Sequence, residues 1–264
     1  LQYFLFLCTN MRTIIITGAG SGMGKATALQ LSQDSNVQLV LIGRRKDNLE
    51  AVLRETQNSA QHMVLSTDIG NKEAFQTAFK SINPEKMNIC GVFANAGIGG
   101  ENHYGDDDRW DEILRVNLNG TYNTIMECLP HLRKSTEPFK HILITSSCLA
   151  RFGVPNYTAY CTSKTGLLGL TRALAVELSS DNILVNALCP GWVETDMAKA
   201  GIQKLADHTG KSYDDSFSEQ MGFVPLGRMS LPQEIANLVE FLFSGKQNSM
   251  TGQGIDINNG SFMQ

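Results

Sequence analysis

The chain has 264 residues, 42% of them hydrophobic, and a formal net charge of −4, the size of one large α/β domain. Collagenous, fibrous and disordered chains are excluded by that composition, and the slightly acidic balance offers nothing to attract nucleic acid. Six cysteines (Cys8, Cys90, Cys128, Cys148, Cys161 and Cys189) lack metal-ligand spacing, so they read as core thiols in a reducing, cytoplasmic setting.

The first eight residues are strongly apolar but fall far short of the ~20 residues a membrane helix needs. They also lack the basic lead and small-residue cleavage site of a signal peptide. Residues 1–10 are therefore expected to lie outside the fold, with one domain over residues 11–264. Short runs rich in β-branched residues predict strands at 13–17, 38–42, 62–66, 89–94, 141–145, 182–188 and 254–257. Helical periods fall between them at 25–33, 47–57, 72–81, 108–132 and 159–179. Continuous apolar strands separated by helices predict a Rossmann-like, doubly wound, mostly parallel sheet of seven strands with helices on both faces. The stretch 197–225 is the least regular and follows a strand's carboxyl end, the place of a substrate lid. Asp106, Asp107 and Asp108 read as the start of a helix and not as a metal site. The apolar stretch 238–243 suits packing either inside the domain or against another copy.

Thr17-Gly18-Ala19-Gly20-Ser21-Gly22-Met23-Gly24 follows the first strand and opens the first helix. Glycines there permit a tight turn and let a pyrophosphate approach the free N–H groups of the helix start. No Gly-Lys-Ser/Thr triplet ends the turn, which argues against a P-loop NTPase. The second strand runs into Arg44 and Arg45, whose planar guanidinium groups suit a ribose 2′-phosphate, so NADP(H) is favoured and NAD(H) stays open. Tyr160 and Lys164 stand four residues apart on a helical period and share one helix face. A cation about 4 Å from a phenolate is worth roughly 4 kcal/mol at an effective dielectric of ~20, enough to pull the phenol toward the neutral range.

These motifs, in this order, resemble the short-chain dehydrogenase/reductase family from about residue 11 to the end. They are completed by Asp68-Ile69, Asn95-Ala96-Gly97, Asn117, Ser147 and Pro190-Gly191-Trp192-Val193-Glu194-Thr195. The resemblance implies an NAD(P)(H)-dependent oxidoreductase that interconverts a carbonyl and a secondary alcohol by hydride transfer, with Tyr160 as general acid/base. By it, Ser147 hydrogen-bonds the substrate oxygen, Ser146 being the neighbouring candidate. Lys164 binds the nicotinamide ribose and tunes Tyr160, and Asn117 helps hold a proton-relay water. Gly18, Ser21, Gly22, Met23, Gly24, Arg44, Arg45, Asp68, Ile69, Asn95, Ala96, Gly97, Pro190, Gly191, Val193 and Thr195, with Tyr160 and Lys164, form the implied cofactor site, and no metal is implied. The chain departs from the pattern at Ala94, where many relatives carry a second asparagine. The segment 227–235 resembles relatives acting on 3-oxoacyl thioesters or polyketide ketones, and the family implies a homotetramer or homodimer built on the long helices. A non-catalytic dinucleotide sensor of the same fold is the rival reading, disfavoured because all four chemical residues are present.

Overall fold

The computed structural model describes residues 11–263, so the extension expected at residues 1–10 lies outside the described residues. Among the described residues, seven strands form one all-parallel sheet. They are β1 (Arg12–Thr17), β2 (Val37–Gly43), β3 (Met63–Ser66), β4 (Asn88–Ala94), β5 (Lys140–Thr145), β6 (Ile183–Pro190) and β7 (Gly254–Ile257). Across the sheet they run β3-β2-β1-β4-β5-β6-β7, every neighbouring pair parallel. Each expected strand is present, its ends moved by a residue or two. The helices are α1 (Gly22–Leu31), α2 (Lys46–Glu55), α3 (Lys72–Ser81), α4 (Trp110–Leu114), α5 (Gly120–Leu132), α6 (Thr158–Glu177), α7 (Asp196–Thr209), α8 (Tyr213–Gly222) and α9 (Pro232–Phe243).

The two-residue period of the strands divides the core. Ile14 and Ile16 pack with Leu39, Leu41, Phe93 and Leu143 beneath α1 and α9. Ile15 turns the other way and joins Val40, Ile42, Val92 and Ile142 beneath α3, α5 and α6. The apolar stretch 238–243 packs internally: Val239, Leu242 and Phe243 are buried on the α9 face that covers β1 and β4. A Cβ added at Gly91 would meet the Phe243 ring at 3.3 Å, so strand and helix are fitted to each other there. Phe243→Ala is expected to lower stability by roughly 3–5 kcal/mol, read from chemical denaturation.

Two expectations are corrected. The helix expected over 108–132 is interrupted by a π-helical turn at Arg115–Asn119 between α4 and α5. Asn117 lies in that turn and spends its amide on the Ile98 main chain; such turns recur at functional sites. Of the acids at its start, Asp108 accepts the Trp110 N–H at 3.0 Å. The stretch 197–225 is not irregular but folds into α7 and α8. Thr195 accepts the Ala198 N–H at 3.3 Å and Ser212 the Asp215 N–H at 3.1 Å, while Gly210 ends α7 at φ +68°. Ala198, Ile202, Met221, Val224 and Met229 form a small core of their own beneath these helices. Their exposed faces account for the polar look of the sequence.

Candidate active site

The strand order reverses between β1 and β4, and a crevice opens there at the carboxyl ends of the strands. Gly18 and Gly22 adopt φ +68° and +53°, in the left-handed region that favours glycine. A Cβ on Gly18 would meet Ala96 Cα at 2.9 Å, and one on Gly24 would collide with the Gly18 carbonyl. Ser21 is the extended N-cap of α1, yet its side chain caps no N–H among the described residues, and the first helical turn holds no acid. The positive end of α1 therefore meets the crevice with no acid or side-chain cap of its own.

Of the sequence-predicted cofactor residues, Gly18, Ser21, Gly22, Met23, Arg44, Arg45, Asp68, Ile69, Asn95, Ala96, Gly97 and Thr195 line this one crevice. Gly24, Tyr160, Lys164, Pro190, Gly191 and Val193 are not among its lining residues. Gly191 donates to the Ile257 carbonyl at 3.2 Å, and buried Val193 pairs with Ser230. Asn48, Thr67, Ile98, Asp196 and Met197 also line it and escaped the motifs. A signal for Thr67 and Asn48 was available in their positions beside Asp68 and just beyond the arginine pair. Burial pushes the Asp68 carboxyl up, but the Gly70 N–H, the Arg115 guanidinium and Arg44 outweigh it and hold the group below its ordinary value. Despite Ala94, the end of β4 is tied down. Thr17 Oγ1 accepts the Asn95 and Ala96 N–H groups, each at 3.0 Å, and Thr145 donates to Asn95 Oδ1 at 3.1 Å.

The four candidate catalytic residues come together at the end of β5 and the start of α6. Ser146 and Ser147 divide the work at the strand end. Ser146 donates its hydroxyl proton to the Lys164 carbonyl at 2.8 Å, whereas Ser147 bears on the Tyr160 phenol. Lys164 is buried and its Nζ donates to the Thr145 carbonyl at 2.8 Å, 5.5 Å from the Tyr160 ring centre. Asn117 is fully buried; its Oδ1 accepts the Ile98 N–H at 2.8 Å and its Nδ2 donates to the Ile98 carbonyl and to Ser163 Oγ. The expected lowering of the Tyr160 pKa by Lys164 does not hold in the chain alone. Burial pushes the phenol up to about 12, with the Ser147 hydroxyl pulling the other way. Burial also brings Lys164 down to about 8. The cation is turned onto a carbonyl, and the enclosed ring disfavours the phenolate. His103, kept out of the mechanism, stands exposed beside Glu101.

A family model described as enoyl-(acyl carrier protein) reductase matches residues 18–261. The chain belongs to the short-chain dehydrogenase/reductase family. Within that oxidoreductase family, the chain is 31% identical over 256 residues to a 3-oxoacyl-(acyl-carrier-protein) reductase of Thermotoga maritima, across 94% of this chain and 97% of that one. Among solved structures it is similar to an actinorhodin polyketide ketoreductase variant with NADPH, at a TM-score of 0.88 and 25% identity, covering 96% of this chain and 98% of that one. It is also similar to a 3-ketoacyl-(acyl-carrier-protein) reductase of Brucella melitensis complexed with NADH, at a TM-score of 0.81 and 25% identity over the same shares. The dehydrogenase/reductase fold is thus shared over nearly the whole chain. No helix among the described residues is long and apolar enough to cross a membrane.

Proposed function

We propose that the chain is an NAD(P)(H)-dependent ketoreductase. The observation that carries this is the placing of Lys164 between phenol and crevice: its buried Nζ lies 5.5 Å from the Tyr160 ring centre and 3.5 Å from where a Cβ of the crevice residue Gly97 would stand. A dinucleotide fits the residues present. The backbone of the glycine turn comes close where side chains would not fit, and the uncapped start of α1 suits a pyrophosphate. Arg44 and Arg45 stand exposed at the crevice and suit a 2′-phosphate.

A bound nicotinamide supplies the hydride chemistry. Tyr160 holds its proton at neutral pH in the chain alone and is the group placed to give that proton to a ketone oxygen in reduction and to take it back in oxidation. Ser147 donates a hydrogen bond to the same oxygen as its charge develops. Lys164 holds positive charge beneath the site, and Asn117 fixes the 97–98 segment that runs past it.

A 3-oxoacyl thioester is the substrate class to test first, supported by the Thermotoga maritima relative and by the exposed apolar side chains of Phe152 and Val154, which lie between Ser147 and Tyr160 in the chain. Phe152 stacks on Phe262 at 6.2 Å. Residues 197–225 serve in this reading as the lid, with Met197 Sδ 3.1 Å from where a Cβ of Gly99 would stand. A homotetramer through α5 and α6, which leave Tyr122 and Val176 exposed, completes the reading.

The test is a panel of 3-oxoacyl thioesters, cyclic ketones, sugars and an enoyl thioester, assayed with NADPH and with NADH. Ketone reduction supports the reading. Turnover of the enoyl thioester alone, or nucleotide binding without any turnover, overturns it. Arg44→Ala is expected to raise the KM for NADPH about tenfold or more while leaving that for NADH nearly unchanged, because a charge-assisted bond is worth ~1.5–3 kcal/mol. Equal efficiency with NADH that is unaffected by the substitution would remove the NADP(H) preference.

A further inference from the structure

Ser147 opens a 3-10 turn at Cys148–Ala150, and Arg151 closes it. Three hydrogen bonds define the turn: Ser147 Oγ accepts the Leu149 N–H at 3.1 Å, the Ser147 carbonyl accepts Ala150 N–H at 3.0 Å, and the Cys148 carbonyl accepts Arg151 N–H at 2.8 Å. The Arg151 side chain leaves this turn for the last strand. Its Nη2 donates to the Gly254 carbonyl at 3.0 Å and to Asp256 Oδ2 at 3.2 Å, while Nε faces Asp256 Oδ1 at 3.5 Å. The Arg151 side chain is 13% exposed and that of Asp256 26%, so the fork is sheltered on the arginine side and open to solvent at the carboxylate. Gly254 has a second part in it: a Cβ there would stand 2.7 Å from Arg151 Nη2.

We propose that Arg151 is a positioning residue for the reaction: its fork on β7 holds the turn whose Leu149 N–H sets the direction of the Ser147 hydroxyl. The inference rests on the reading of Ser147 as the residue that hydrogen-bonds the substrate oxygen. The strand end fixes where the serine stands, through the Ser146 N–H donated to the Leu188 carbonyl at 2.8 Å. It does not fix the side-chain direction, which depends on the Leu149 N–H held by Ser147 Oγ. That N–H belongs to a turn tied by the Arg151 fork, by a long bond at 3.3 Å from Thr165 to the Ala150 carbonyl, and by the burial of Cys148 and the packing of Ala150 on the main core; of these only the fork reaches β7 through side-chain hydrogen bonds. Freed of its fork, the turn opens and the hydroxyl rotates away from the phenol. A lysine at 151 has the charge but not the planar pair of donors, so it restores the geometry only in part. Asp256 and Gly254 make no hydrogen bond to Tyr160 or Lys164; β7 reaches the site by two routes, the Arg151 fork and its pairing with β6 at Cys189 and Pro190, and the nucleotide Kd separates them, since the β6 route would disturb the cofactor side.

The experiment measures kcat and KM for a reducible ketone, nucleotide Kd by fluorescence, and thermal midpoint. The variants are Ser147→Ala, Arg151→Ala, Arg151→Lys, Gly254→Ala and the double variant Ser147→Ala with Arg151→Ala. Arg151→Ala and Gly254→Ala are expected to lower kcat about tenfold or more with nucleotide Kd within about twofold, since interactions that act through one group are non-additive and sensitive to misplacement. Arg151→Lys regains part of that loss. On the Ser147→Ala background, Arg151→Ala is expected to lower kcat by less than about twofold. A fall in thermal midpoint with kcat unchanged overturns the proposal and makes the fork a purely structural tie, as does a double variant whose two losses multiply. An unchanged kcat in Ser147→Ala is a different failure, because it removes the role of Ser147 on which the proposal stands. If Arg151→Ala does not fold, Gly254→Ala, which keeps both charged partners, and Arg151→Lys decide the matter alone.

Discussion

Tyr160→Phe is expected to reduce turnover by ~10³-fold or more in both directions, with nucleotide affinity changed by less than about threefold. The substitution removes one oxygen from a ring that is otherwise held by its surroundings, including Tyr157 packed edge-on at 6.3 Å. Packing is preserved, so the loss reports the proton and not the fold. Ser147 is left as the one hydroxyl at the site that donates to the substrate oxygen, and it can stabilise developing charge without delivering a proton of suitable acidity. Residual turnover of the order left by an oxyanion-type contact alone is therefore expected. Full activity in Tyr160→Phe would remove the phenol from the mechanism.

Lys164→Met is expected to lose ~10²-fold or more in turnover and to gain stability at neutral pH. The sign follows from the direction of the shift. The ammonium of the folded chain releases its proton near 8, below the value of about 10.5 for an exposed lysine. Below pH 8 both folded and unfolded chains carry the proton, and the folded one bears the full cost of burying it. Between pH 8 and 10.5 the folded chain gives up the proton while the unfolded chain keeps it, so stability from this group rises with pH across that window. The cost below pH 8 is up to ~3 kcal/mol, from which the lost bond to the Thr145 carbonyl subtracts about 1–3 kcal/mol. Thermal midpoints of wild type and Lys164→Met should thus differ most near pH 7 and converge toward pH 10. In the wild type, kcat/KM for ketone reduction should fall as pH rises through about 8, where the charge under the phenol is lost. A flat profile across that range would mean that the charge of Lys164 plays no part in the rate-determining step.

The parts of this protein legible in the sequence are those set by local periodicity and by residue types with few structural uses. β-branched runs such as Thr13-Ile14-Ile15-Ile16 predict strands, and the buried two-sided pattern predicts a parallel sheet, because each follows from backbone geometry over a few residues. The glycine turn was legible for the same reason: φ values of +68° and +53° at Gly18 and Gly22 admit little else. Less legible was 197–225, where Gly201, Gly210 and the polar outward faces of α7 and α8 masked two helices that bury only a small core between them. The π-helical turn at Arg115–Asn119 was hidden too, since the Asn117–Ile98 bond pair that accompanies it joins residues 19 apart in sequence.

The amino-acid sequence by itself determined the family pattern, the strand order of events along the chain and the identity of the tyrosine, lysine, serine and asparagine set. Only the tertiary structure decided what each of them does to the others. It sends the Ser146 hydroxyl to the Lys164 carbonyl and turns the Lys164 ammonium onto Thr145, and it raises the Tyr160 phenol where proximity in sequence predicts lowering. Protonation depends on burial and on which lone pair each donor reaches, and those are set by residues distant in sequence. A four-residue spacing on one helix cannot contain them.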